Sequence, residues 1–122
     1  MDEMRRAVFE AGLAVRDITP APGVPLWGYS DRKGPAEGTL DPLQARALVF
    51  RAGGEAVALV TLDLGRVPAK AACARIRERA RAAGVAETIL AASHTHHGPW
   101  MEDADAPHAR AIEEAVGEVI AE

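Results

Sequence analysis

Apolar and polar positions along the chain fall into six regular runs separated by glycine, proline and charged residues. Leu13 to Ile18 is rich in β-branched side chains, follows Gly12 and is stopped by Pro20, which predicts a strand. Residues 43–51 and 56–64 form two more apolar runs on either side of Gly53-Gly54, the signal of a hairpin. The second of these is apolar almost throughout, as expected of a strand covered on both faces, and Asp63 near its end is out of character. From Pro68 to Ala83 the spacing turns helical: Ala72, Ile76, Ala80 and Ala83 form a stripe opposite Arg75, Arg77, Glu78, Arg79 and Arg81, and Gly84 closes the run. The arginine side reads as a solvated face, and Cys73 as a small apolar side chain.

Glu87-Thr88-Ile89-Leu90 predicts another strand, and Ala109, Ile112, Val116, Val119 and Ile120 predict a second helix over 107–121, with Asp103 or Asp105 as its cap. Strand, helix and strand between 57 and 93 make a βαβ unit, whose crossover is right-handed in nearly all known cases and whose strands are parallel neighbours. The expected fold class is therefore α/β: a mixed sheet in which a hairpin over 43–64 feeds a right-handed βαβ unit, with helices at 68–83 and 107–121. In open α/β sheets ligands bind at the carboxyl edge of the strands, which puts Asp63 on the same rim as whatever follows residue 93.

Between the first strand and the hairpin, residues 20–42 hold Pro20, Pro22, Gly23, Pro25, Gly28, Gly34 and Pro35 and cannot be regular. A loop this long in a compact chain is functional or disordered, and Leu26, Trp27 and Tyr29 argue for order. Trp27 reads as a plug at the edge of the core and Gly28-Tyr29 as a pocket wall.

At 122 residues the chain is one domain with one modest core. A net charge of −4 and an aromatic content of 4% disfavour nucleic acid as a partner, since neither a basic surface nor stacking platforms are supplied. A single cysteine excludes an intrachain disulfide. The charged start, Met1-Asp2-Glu3-Met4-Arg5-Arg6, is unlike a secretory signal, and no apolar segment approaches the ~20 residues of a membrane span, so a cytoplasmic location is expected.

Candidate chemistry is concentrated in Ser93-His94-Thr95-His96-His97-Gly98-Pro99, which holds three of the four histidines. If strand geometry carried through the motif, His94 and His96 would share a face and could grip one ion. A hydrolytic zinc takes three protein ligands and leaves a place for water, whose pKa falls to about 7. The pair supplies two at most. His97 faces away as an orienting or substrate-contacting group, or is merely exposed, and His108 reads as a surface residue in the first turn of the last helix.

Five short motifs, in this order and spacing, resemble the amino-terminal part of the neutral, non-lysosomal ceramidases: Asp17-Ile18-Thr19-Pro20, Gly28-Tyr29, Asp41-Pro42-Leu43-Gln44-Ala45-Arg46-Ala47-Leu48-Val49, Leu62-Asp63-Leu64, and His94-Thr95-His96-His97-Gly98-Pro99. The resemblance spans roughly residues 12–100. It implies a zinc-dependent amidase that cleaves the N-acyl bond of ceramide to sphingosine and a fatty acid, a step of sphingolipid metabolism. It makes His94 a zinc ligand and His96 the neighbour that assists with protons or substrate. Asp63, placed by the sheet topology, and His97, Gly28 and Tyr29 are the candidate rim of the same site. His97 stands where the family commonly has serine. The family takes its remaining ligands, a second His, a Glu and a Tyr, from sequence beyond this chain, so the expectation is an amino-terminal fragment of a longer catalytic domain. Self-association, or a site completed by Asp63, His97 or His108, is the other route. The alternative reading is a small non-catalytic α/β module that binds metal or associates with a subunit. A metallo-β-lactamase type would need Asp then His after the pair, where this chain has His97-Gly98, and an amidohydrolase barrel needs eight βα units.

Overall fold

The computed structural model describes residues 9–29 and 32–121; the charged amino-terminal stretch, Ser30-Asp31 within the loop, and Glu122 lie outside it. Its elements are β1 (Phe9–Asp17), β2 (Gln44–Ala52), β3 (Glu55–Leu62), α1 (Lys70–Ala82), β4 (Glu87–Ala92) and α2 (Pro107–Ala121). The sheet order is β1-β2-β3-β4, antiparallel up to β3 and parallel between β3 and β4. The hairpin turns at Gly53-Gly54, both with positive φ, where glycine alone is unstrained. The parallel pair is joined through α1, as the strand-helix-strand pattern predicts.

β1 begins earlier than its β-branched run, because pairing with β2 extends regular structure through Gly12 to Phe9. Its end is stitched down by the motif that follows. The Asp17 carboxylate accepts the Thr19 amide at 2.8 Å, and Thr19 Oγ1 accepts the Leu43 amide at 2.8 Å. The hydrogen bonds from Thr19 hold the Asp17 carboxyl below its ordinary range.

Both helices cover one face of the sheet. Ala56, Ala58, Val60 and Leu62 of β3 point into a core closed by Ile76 and Ala80 of α1 and by Ile112, Val116, Val119 and Ile120 of α2. The buried positions of α1 are Ala72, Cys73, Ile76 and Ala80, close to the predicted stripe, while Ala83 ends the helix in the open. Cys73 donates to the Pro68 carbonyl at 3.1 Å, and burial raises its thiol pKa, consistent with an inert core cysteine.

Three expectations are corrected here. β3 is covered on one face only: its residues alternate strictly between exposed and buried, with Val57 and Leu59 open. The arginine side of α1 is not simply solvated, because Arg75 and Arg79 reach Glu113 and Glu114 of α2. The acids before α2 act otherwise than as a helix cap, Asp103 accepting from the Asp105 amide and Asp105 from the Arg110 guanidinium.

The Arg75–Glu113 contact is bidentate, 2.8 Å on both arms, and it holds the Glu113 carboxyl below the usual glutamate range. A lowered folded-state pKa means that this contribution is complete above the ordinary glutamate pKa and vanishes as pH falls through the lowered one. Glu113→Gln is therefore expected to lower Tm slightly at neutral pH and to flatten its fall on acidification from about pH 5 downward. Parallel Tm–pH curves for the two proteins would refute it.

Candidate metal centre at the carboxyl edge of the sheet

The His motif leaves β4 at Ala92 and does not continue as a strand. The Ser93 amide donates to Leu62 O and the His94 amide to Leu64 O, both at 2.9 Å, so the chain is still tied to the end of β3 as it turns. His94 takes a left-handed backbone with φ 69°, and residues 96 and 97 form a turn. Simple alternation is thus broken, yet the rings of His94 and His96 meet with centroids 5.1 Å apart. A kink brings together what an extended chain was expected to align.

The long loop reaches the motif through a short antiparallel contact. Leu26 bridges Pro99, the Trp27 amide donates to Gly98 O at 2.9 Å, and the Trp100 amide donates to Pro25 O at 2.8 Å. Trp27, half-buried at the edge of the core, stands edge-on to both imidazoles, 5.0 Å from each. Its indole lies on Gly65, where a Cβ would fall 2.1 Å from Trp27 Cε3. Gly28, with φ 90°, lies against His96, where a Cβ would fall 2.7 Å from His96 Nδ1. Tyr29 packs on His96 at 4.9 Å and on His97 at 5.6 Å, with the Arg32 guanidinium 5.4 Å from its ring centre. Arg32 also donates to the His96 carbonyl.

Each imidazole is oriented differently. His94 Nδ1 lies 3.0 Å from the Gly65 carbonyl, which can only accept, so Nδ1 carries the proton and Nε2 keeps the lone pair. This is the arrangement that fixes the tautomer of metal-ligating histidines. His96 Nδ1 is buried without a hydrogen-bond partner. That nitrogen packs against Gly28, and the two rings together offer the donor set from which a metal or proton-transfer site could be built. Among the described residues, however, no three of His, Cys, Asp and Glu gather as a metal cluster.

Asp63 does lie on this rim, one residue past β3, but its side chain turns toward β2. Oδ2 accepts the Gln44 amide at 3.0 Å, and the Asp63 amide donates to Gln44 O at 3.0 Å, which closes the β2–β3 ladder. That bond explains an acid at the end of an apolar run. His97 is exposed and, with Thr95, lines a cleft of about 840 Å³ beneath the loop, whose walls include Leu26, Arg32, Leu43 and Pro99. His108 is fastened to the Trp100 carbonyl at 2.6 Å, away from the paired rings in role. Sequence reasoning missed Gly65, whose one signal was its place just after Leu62-Asp63-Leu64, and it missed Glu102. Glu102 is bound by Arg66 at 2.9 Å, and hydrogen bonds from Arg66 above all, then from the Trp27 and Trp100 side chains, lower its pKa.

The chain is a mixed α/β layer with paired imidazoles at its carboxyl edge, and its fold is ceramidase-like by comparison with solved structures. The solved structures it resembles include the neutral ceramidase of Pseudomonas aeruginosa, with a TM-score of 0.79 and 28% identity over 93% of this chain and 21% of the other. A ceramidase complexed with C2 is similar, with a TM-score of 0.76 and 28% identity over 93% of this chain and 20% of the other. The chain thus spans about one fifth of the length of the ceramidase chains it resembles. Neither a family model nor a curated protein sequence matches it. Among the described residues no helix is long and apolar enough to cross a membrane.

Proposed function

We propose that this chain forms part of a zinc-dependent amide hydrolase of the neutral ceramidase type, acting on N-acylsphingosine and water to give sphingosine and a fatty acid. The observation that carries the reading is the pairing of His94, with its lone pair at Nε2, and His96, with its orphan Nδ1, in a chain whose fold is ceramidase-like. His94 would hold the metal. His96 stands beside it to hold or move a proton, and Trp27, Gly28 and Tyr29 pack its ring in place and exclude water from one side. Zinc, when bound, polarises the amide carbonyl and acidifies water. A lipid amide suits the cleft, whose Val24, Leu26, Leu40, Leu43 and Pro99 offer an apolar wall next to His97.

Two imidazoles do not complete a hydrolytic zinc site, so turnover requires donors from outside this stretch. The test is made on the native polypeptide that carries this sequence, purified from its own cells. Fatty acid release from N-acylsphingosine, abolished by a chelator and restored by zinc, is the expected result. Release that persists in chelator, or no release at all, would defeat the proposal. Zinc bound without turnover would favour a metal-holding module instead.

A further inference from the structure

The face of the sheet turned away from the helices is apolar and open. In register across all four strands, Leu13 stands beside Leu48, Leu48 beside Leu59, and Leu59 beside Ile89. Leu13 is 68% exposed, Leu59 37% and Ile89 56%, and the next row adds Phe50 and Val57. With strands about 4.8 Å apart and a rise of about 3.3 Å per residue, the face measures roughly 20 Å by 20 Å. That is the scale of the largest apolar patch on a typical monomer, a patch that is often functional.

We infer that this face is the docking surface for a second apolar protein layer, supplied by the part of a ceramidase-like catalytic domain that this chain does not span. The sequence itself is written for cover on both sides. β3 reads Ala56-Val57-Ala58-Leu59-Val60-Thr61-Leu62, the near-continuous apolar run of a strand buried on two faces, and only its even positions are buried by this chain. Asp17, Arg46, Glu55 and Glu87 are the charges that share the open face, and all four stand outside the Leu13–Leu48–Leu59–Ile89 row, which leaves the middle of the face uncharged. The occupant must be apolar and large enough to cover four strands. The ceramidase chains that match 93% of this one leave about four-fifths of their own length unmatched, which is ample for such a layer. The identity of the layer, though not the existence of the docking face, rests on the ceramidase-type reading.

The experiment is carbene footprinting with mass-spectrometric readout, applied to the 122-residue chain and to the native polypeptide that carries the sequence. Labelling of Leu13, Leu59 and Ile89 is expected to fall several-fold in the native polypeptide. The double variant Leu59→Lys, Ile89→Lys is expected to leave the Tm of the 122-residue chain nearly unchanged and to lower that of the native polypeptide. Equal labelling in both proteins overturns the inference. So does protection that arises in the 122-residue chain at high concentration together with a doubled mass in light scattering, which would make a second copy the occupant. Hydrolysis of N-acylsphingosine with these side chains still freely labelled would sink the docking face and spare the function; protection without hydrolysis would do the reverse.

Discussion

Gly65→Ala is expected to lower the stability of the chain by about 1–3 kcal/mol, the usual penalty for forcing one carbon into a packed site. For a domain of this size that is a loss of roughly 5–15 °C in Tm. A Cβ at residue 65 would lie 2.1 Å from Cε3 and 2.4 Å from Cδ2 of Trp27, separations at which one of the two must move. The indole has little room to comply. Its backbone amide is held by Gly98 O at 2.9 Å, and its ring is wedged edge-on against both His94 and His96 at 5.0 Å. Displacing the indole therefore also loosens the imidazole pair, and the carbonyl that orients His94 belongs to the substituted residue itself. A thermal melt reads the stability, and a red shift in tryptophan emission reads the movement of Trp27. The double variant Gly65→Ala, Trp27→Leu should recover part of the loss, because the shorter side chain vacates the space; this coupling is what identifies the clash as the cause. A Tm within about 2 °C of the parent with unchanged emission would show that the packing around Trp27 is looser than the distances imply.

The same indole marks where sequence reasoning stops. The hairpin, the parallel β3–β4 pair and both helices were legible because each depends on local periodicity and on turn residues at Gly53-Gly54 and Gly84. Trp27, by contrast, meets His94 across 67 positions of chain, through the bridge between Leu26 and Pro99 that no periodicity announces. Asp63 was visible as an anomaly, but its partner, the Gln44 amide, is a backbone group and leaves no trace in side-chain pattern. Likewise Asp17 and Thr19, conspicuous as a motif, turn out to hold the end of β1 against the start of β2 rather than to contact the imidazoles. The open face of β3 was missed for a different reason: a run that is apolar at nearly every position does not show which of its two faces the helices cover, and here only Ala56, Ala58, Val60 and Leu62 are buried.

His94→Ala is expected to weaken zinc binding by the chain far more than His97→Ala, by roughly 100-fold or more, since altering even an outer partner of a metal ligand typically costs 10–100-fold. The difference follows from how the two side chains are held. His94 Nδ1 is committed to the Gly65 carbonyl, which both fixes the ring and presents Nε2 as a ready donor, so little ordering remains to be done when a metal arrives. His97 is exposed: its amide donates to Thr95 Oγ1 at 3.2 Å, while its ring packs on Tyr29 at 5.6 Å and has, among the described residues, no hydrogen bond that fixes its tautomer. His96→Ala should also weaken binding, because its ring lies 5.1 Å from that of His94 and its Nδ1 has no other partner. Asp63→Asn provides the contrast: it should disturb the Gln44 contact and lower Tm while leaving zinc affinity near that of the parent. Competition against a chromophoric chelator measures all four affinities on one scale, and circular dichroism verifies that each variant is folded. Equal affinities for the His94 and His97 variants would remove His94 from the metal, and with it the chemical basis for reading the paired imidazoles as a hydrolytic centre.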